Sequence, residues 1–321
     1  MKQIVFLTYL NRSGSTFLSR MLDEYADIGV TLEASFPDGI IFKSFNIKSQ
    51  NDLETYLDRL FKDSKFNGWN LSREDLKAKL LELTYPATFP DIFPIILDEY
   101  FKKSNATTYI FKSAYINNID KVKDLFPHAK IILLLRNPLA VFSSQKATKD
   151  TRTRKYMSAC PIKFAISCRT ALALSLRHGN KDWFYKLKYE DLIANPEKEM
   201  NKILAFLNVS DNKTSTNMSY FDKLPSNQKA IHKNITSDPI SEKASTWRMN
   251  LYNEEIWIIQ TLLSKYIYSL GYDLYEIKKI EFSERRRVLW YWIKFIFQPK
   301  GKLTMLKLYL RILKIHSEKN L

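Results

Sequence analysis

Ile131, Ile132, Leu133, Leu134 and Leu135 form an unbroken apolar run that stops at Arg136, with Asn137 and Pro138 next. A run without alternation fits a strand covered on both faces, and such strands belong to parallel sheets with helices on either side. Apolar stretches at 3–9 and at 107–111, the second ending at Lys112, read as further strands. The first leads into apolar positions at Phe17, Leu18, Met21, Leu22 and Tyr25, which have helical spacing. Shorter strands are expected at 28–32, ending at Glu33, and at 183–189. Helices are expected near 117–126, from Pro138, from Pro196 to Leu207, and over 253–269, where Gly271 supplies a C-cap. This alternation predicts an α/β fold, a parallel sheet flanked by crossover helices.

Two segments stand outside the alternation. Helical stretches near 52–62, 73–83 and 91–103 predict a helical insertion at about 50–103, with Ser72 and Asp75 in capping-box spacing. Residues 208–246 are rich in Asn, Ser, Thr and Lys and read as a long functional loop. The expected organisation is a body over 1–277 that contains the insertion, followed by a C-terminal basic helical extension over 278–321.

The chain of 321 residues is 45% hydrophobic, enough for a large core, which excludes disorder throughout. Its formal net charge of +16 calls for an anionic partner: nucleic acid, a phosphorylated cofactor, a sulfated or acidic glycan, or a lipid surface. Cys160 and Cys168 lie two helical turns apart, too far to pair, and read as buried thiols. None of the four histidines has a neighbour at metal-ligand spacing, so no metal site is expected. The first residues lack the long apolar run and small-residue cleavage site of a signal peptide, and no window is long enough to span a bilayer. A cytoplasmic protein is the expectation.

Arg12-Ser13-Gly14-Ser15-Thr16 lies between the first strand and its helix. A tight glycine turn there directs free amides at one spot, at the positive end of the helix dipole, and makes an anion cradle; any strand–turn–helix also needs a glycine and a cap. The turn lacks the first Gly and the Lys of a nucleoside triphosphatase loop. Where such an enzyme needs a magnesium-holding acid after a buried strand, this chain has Arg136. With Ser143 and Ser144 on the next helix, that arginine suits an anion read directly by side chains. Two anion sites, one per strand–helix turn, fit a nucleotide with two monophosphates and disfavour ordinary ATP chemistry.

With these residues the sequence resembles the sulfotransferase family that uses 3′-phosphoadenosine 5′-phosphosulfate (PAPS), nearest its tyrosylprotein and carbohydrate branch. Residues 12–16 resemble the 5′-phosphosulfate loop, and residues 131–144, with Arg136 and Ser144, resemble the 3′-phosphate motif. Lys112, Phe126-Pro127-His128-Ala129-Lys130, Lys188-Tyr189-Glu190-Asp191-Leu192 and Ser245-Thr246-Trp247-Arg248 complete the match in family order. The resemblance implies a P-loop-like fold, PAPS as sulfuryl donor without a metal, and transfer to an acceptor hydroxyl or amine. It implies that Arg12, Ser13, Gly14, Ser15 and Thr16 cradle the 5′ end, that Arg136 and Ser144 hold the 3′-phosphate, and that Tyr189 lies near the nucleotide. Ser245, Thr246, Trp247 and Arg248 would fold over it, although Trp247 taken alone reads as core. Arg12 and Lys112 would neutralise the leaving phosphate, with Ser245 as a further donor.

Glu33 matches in position the catalytic glutamate of the tyrosylprotein branch and is the candidate base, with a structural glutamate as the alternative; nearby cations should lower its pKa. Glu190 and Asp191 read as structural, Asp191 as a helix cap. The chain departs from the family pattern at Ala114, where Pro is usual, at Asn137, where Asp is commoner, and at Thr148, where a second arginine is often found. Arg152 or Arg154 could replace that arginine.

The acceptor expected from the breadth of the family and the lack of secretory signals is a carbohydrate or glycolipid hydroxyl, with protein tyrosine as runner-up. The extension carries twelve Lys/Arg against three acids, with Lys307, Arg311 and Lys314 on one helical face and Leu303, Leu306, Leu310 and Leu313 on another. It reads either as an interfacial helix on anionic lipid, which would make the protein peripheral at the inner membrane face, or as a helix packed on the body or a dimer mate. Rivals from other classes are a basic nucleic-acid-binding protein and a family member that binds nucleotide without transfer. Nucleic acid is disfavoured because the aromatics sit in apolar strands and helices rather than among basic residues.

Overall fold

The structure is a computed structural model that describes residues 2–34, 47–114, 119–150, 153–213, 220, 223–224, 246–277 and 280–297. Ser245, Arg152, most of the expected 208–246 loop and the extension beyond 297 lie outside the described residues. Two compact units are present, Met1–Arg136 with Ala171–Ala244 and Asn137–Thr170 with Ser245–Leu321.

The first unit holds a sheet of five parallel strands, β1 (Gln3–Tyr9), β2 (Ile28–Val30), β3 (Thr108–Ala114), β4 (Lys130–Leu135) and β5 (Phe184–Lys188), in the order β2-β3-β1-β4-β5. The central strand β1 sets Leu7 opposite Lys112 on one side and Ile132 on the other. Helix α1 (Ser15–Leu22) follows β1. The insertion supplies α2 (Gln50–Lys62), α3 (Ser64–Asn67), α4 (Arg73–Leu81) and α5 (Phe89–Tyr100), and α6 (Ile119–Leu125) joins β3 to β4.

Local chemistry sets the helix starts. Ser49 caps α2, and the Ser72 hydroxyl accepts the Asp75 amide at 3.1 Å to open α4, as the capping spacing predicts. The insertion is not a separate lobe, because α5 brings Phe93 within 5.1 Å of Phe111, 5.6 Å of Phe126 and 5.8 Å of Phe6, ring centre to ring centre. Its last helix is part of the sheet's core. β2 is shorter than the expected strand, yet the chain keeps following β3 beyond it: the Thr31 amide donates to Ile110 O at 3.0 Å and the Ala34 amide to Lys112 O at 3.2 Å. Those bonds carry Glu33 alongside Lys112.

Helix α7 (Pro138–Ala147) opens the second unit, α8 (Pro161–His178) begins in it and ends in the first, and α9 (Tyr189–Ala194) and α10 (Pro196–Leu207) return to the first. Asp191 is not a cap. Lys188 occupies the cap position of α9 and Asp191 falls in its first turn, where a carboxylate still meets the positive end of the helix. Both cysteines are free, but only Cys168 is fully buried; Cys160, just ahead of α8, is half-buried.

The second unit also contains α11 (Trp247–Asn250), α12 (Asn253–Ser269) and α13 (Phe282–Ile296). Ile162, Ile258 and Phe295 form its buried cluster, with Val288, Tyr291 and Trp292 packed on it. No helix among the described residues is long and apolar enough to cross a membrane.

Candidate active site

Parallel strands deliver the residues at their carboxyl ends to one edge of the sheet, and all five strands of the first unit contribute there. β1 ends at Tyr9 and turns through residues 10–14 into α1. Gly14 has φ 92°, and a Cβ there would stand 2.3 Å from the Tyr189 ring, so the turn approaches that ring only because the residue is glycine. Arg12 is also in the left-handed region, at φ 76°, a conformation that costs free energy in an arginine. The first helical bond of α1 runs from the Leu18 amide to Gly14 O at 3.2 Å, so the amides of Ser15, Thr16 and Phe17 have no acceptor within the helix. The Ser13 hydroxyl is buried and has no hydrogen-bond partner among the described residues.

β4 delivers Arg136. Its Nη1 donates to Arg12 O at 3.1 Å, and its guanidinium lies 4.6 Å from the centre of the Tyr189 ring, which follows β5. Its Nε is buried with no partner among the described residues. Burial, and then the charge of Arg136, hold the Arg12 guanidinium below its ordinary pKa. Two guanidiniums in mutual repulsion, a buried unpartnered Nε, a buried unpartnered hydroxyl and open helix amides together fit an anionic ligand.

β3 delivers Lys112, which is 3% exposed. Its Nζ reaches Thr16 Oγ1 at 3.2 Å and the Tyr220 hydroxyl at 3.4 Å, and its amide donates to Thr31 Oγ1 at 3.0 Å. Burial brings its pKa down to about 8, with Glu33 opposing the fall and Lys65 adding to it. Glu33 accepts the Tyr9 hydroxyl at 2.6 Å through one oxygen and pairs with Lys65 of α3 through the other. Burial alone would raise its pKa, but Lys65 and then Lys112 outweigh burial and hold the carboxyl below the usual range. Burial, then Glu33, push the Tyr9 hydroxyl well up, so Tyr9 remains a donor.

The structure therefore gathers Arg12, Ser13, Gly14, Ser15, Thr16, Glu33, Lys112, Arg136 and Tyr189 in one unit. Ser144 lies on α7 of the other unit, where its carbonyl accepts the Thr148 hydroxyl at 2.7 Å. Trp247 is buried there, with its ring 5.6 Å from that of Tyr275, and Arg248 lies over Trp247 at 5.6 Å; Thr246 precedes them. Three residues escaped sequence reasoning: Tyr9, Lys65 and Tyr220. Tyr9 carried a signal, a hydroxyl at the end of a buried strand just ahead of the glycine turn. Lys65 and Tyr220 come from the insertion and the polar loop, whose composition contains no trace of where they reach. Among the described residues no group of His, Cys, Asp and Glu is arranged to hold a metal. The arrangement sets cationic side chains and open amides that could neutralise an anion beside an ionised carboxylate.

Residues 5–213 match the model of the Sulfotransferase family. Protein-tyrosine sulfotransferase A of Caenorhabditis elegans is 24% identical over 209 residues, 64% of this chain and 50% of that protein. Protein-tyrosine sulfotransferase 1 of Danio rerio is 26% identical over 210 residues, 64% of this chain and 53% of that protein. The chain thus spans about half the length of these relatives. Among solved structures, the sulfotransferase domain from the curacin biosynthetic pathway superposes with a TM-score of 0.57 at 16% identity, covering 86% of this chain and 99% of that one. The sulfotransferase domain from the Synechococcus PCC 7002 olefin synthase gives 0.54 at 21% identity, covering 86% and 98%. These likenesses establish the fold.

Proposed function

The chain belongs to the sulfotransferase family, and we propose that it is an enzyme that moves the sulfuryl group of PAPS to an acceptor hydroxyl. The observation that carries this reading is the buried Lys112 beside an ionised Glu33, next to a glycine turn and an Arg136 that leave buried donors unpartnered. Bound PAPS would supply an activated sulfuryl group on a phosphate leaving group. Arg12, the Ser13 hydroxyl and the amides of Ser15, Thr16 and Phe17 hold the 5′ end, Arg136 reads the 3′-phosphate, and Tyr189 flanks the nucleotide. Ser144, Ser245, Thr246, Trp247 and Arg248 are carried over from the family motifs as further nucleotide contacts.

Lys112 keeps its ammonium against the charge that develops on the departing phosphate, held in place by Thr16 and Tyr220. Glu33 accepts the acceptor's proton on a carboxylate oxygen, oriented by Tyr9 and Lys65. A carboxylate with a depressed pKa is a weak base. It is better matched to a phenol, of pKa about 10, than to the far less acidic hydroxyl of a sugar. That match and the names of the two relatives favour a tyrosine acceptor over the carbohydrate or glycolipid expected from the sequence.

Thermal shift with adenosine 3′,5′-bisphosphate, AMP and ATP tests the nucleotide assignment. The bisphosphate should stabilise the fold by mass action, and AMP, which lacks the 3′-phosphate, should do far less. Arg136→Ala should abolish the difference. Equal shifts for all three nucleotides would remove the 3′-phosphate reading. Transfer of labelled sulfate to a tyrosine peptide, but not to a glycan, is the outcome expected for the acceptor.

A further inference from the structure

Helix α13 carries two apolar faces. The inner one is used: Phe295 joins the Ile162–Ile258 cluster, Val288, Tyr291 and Trp292 pack beside it, Arg287 pairs with Glu254, and Tyr291 donates to Glu255. The outer one is not. Phe282, Leu289, Ile293 and Ile296 recur at spacings of seven, four and three residues, which sets them on a single stripe, with Trp290 and Phe297 at its side. All six are exposed, Phe282 at 78%, Phe297 at 74% and Leu289 at 59%. Arg285 and Lys294 are exposed on either side of this face, Arg286 is exposed within it, three residues before Leu289 and four before Trp290, and the Lys294 ammonium lies 4.5 Å from the Trp290 ring centre.

We propose that this outer face of α13 seats in the headgroup layer of an anionic bilayer, with the helix lying in the plane of the surface. Charge decides among the candidates that could cover an apolar stripe. A second copy of the chain would bring a like-charged rim against Arg285, Arg286 and Lys294. The segment that follows, residues 298–321, has six Lys/Arg against one acid and would do the same. Anionic lipid neutralises the cations of α13, while the stripe enters the acyl boundary and Trp290 takes the interfacial position that indoles prefer. Fifteen residues of helix extend about 22 Å, too short to span the hydrocarbon and long enough to lie on it.

Co-sedimentation of the full chain with phosphatidylcholine vesicles and with equimolar phosphatidylcholine–phosphatidylglycerol vesicles tests this. Binding is expected to the anionic vesicles and to be weaker by about tenfold or more on phosphatidylcholine alone. The double substitution Leu289→Ser with Ile293→Ser should weaken binding to anionic vesicles by about tenfold, because two branched side chains no longer enter the acyl boundary. It should leave the melting temperature in the absence of vesicles unchanged, since neither residue belongs to the inner cluster. Arg285→Gln with Arg286→Gln should weaken binding while leaving every apolar side chain of the stripe in place. The proposal is overturned by undiminished vesicle binding of both double variants. It is also overturned by a vesicle-free loss of stability in the serine variant, which would mean that the chain's own segment covers the face, or by a dimer that the serine variant dissociates.

Discussion

Lys112 shows how one residue makes the site depend on pH. Buried, it gives up its proton near pH 8, whereas an unfolded lysine does so near 10.4. Between those values the folded chain binds fewer protons than the unfolded one, so the contribution of Lys112 to stability increases with pH across that window. A bound phosphate favours the ammonium and restores the proton. Affinity for adenosine 3′,5′-bisphosphate should therefore fall as pH passes above about 8, with proton uptake on binding. Calorimetry in buffers of different ionisation enthalpy measures that uptake, and Lys112→Met should abolish it. A flat affinity from about pH 7 to about pH 9, or uptake that persists in the variant, would show that Lys112 is not at the phosphate. Glu33 contributes with the same sign in a lower window: its depressed pKa keeps it ionised throughout this range, and the stability it contributes is lost as pH falls through and below the usual carboxylate range.

At the scale of elements, the sheet was legible and the insertion only half so. The apolar run at 131–135 and its exit at Arg136 could be read because a parallel strand's position is encoded within a few neighbours, whereas β3 runs on through Lys112 to Ala114 and Tyr189 opens α9 rather than ending β5. Glu33 was legible for a similar reason, lying just beyond β2. What α3 and the 208–246 loop contribute depends on long-range packing, so Lys65 and Tyr220 left no local pattern, and the cap wrongly assigned to Asp191 shows how an acid in a first turn can mimic one. The insertion's helices could be read from their caps, but their docking could not: α5 is anchored by Phe93 among Phe6, Phe111 and Phe126. Phe93→Ala should therefore destabilise the protein by about 3–5 kcal/mol, read from the midpoint of urea unfolding. Leu81→Ala, on the exposed side of α4, should change it by no more than about 0.5 kcal/mol. Comparable small effects from both would mean that α5 is an appendage to the sheet.

For the molecule as a whole, the charge of +16 is found in two settings. Twelve of the fifty Lys/Arg lie in residues 278–321, and of these Arg285, Arg286 and Lys294 stand exposed on α13, while the cations of the candidate site, Arg12, Lys112 and Arg136, are sheltered beside the sheet. Salt separates the two. Raising ionic strength from about 0.1 M to about 1 M shortens the screening length from about 10 Å to about 3 Å, which weakens exposed charges and affects buried ones much less. Binding to anionic vesicles should thus collapse over that range, while the affinity for adenosine 3′,5′-bisphosphate should fall only modestly. A nucleic-acid-binding protein would behave otherwise: a single-stranded oligonucleotide would bind with a steep salt slope and, if it occupied the same cations, would displace the bisphosphate. Fluorescence titrations of labelled oligonucleotide and labelled bisphosphate over the same salt series, with and without Arg136→Ala, measure both slopes. Parallel slopes, or displacement of one ligand by the other, would return the molecule to the nucleic-acid class; divergent slopes with no displacement assign the sheltered cations to the nucleotide and the exposed ones to a surface.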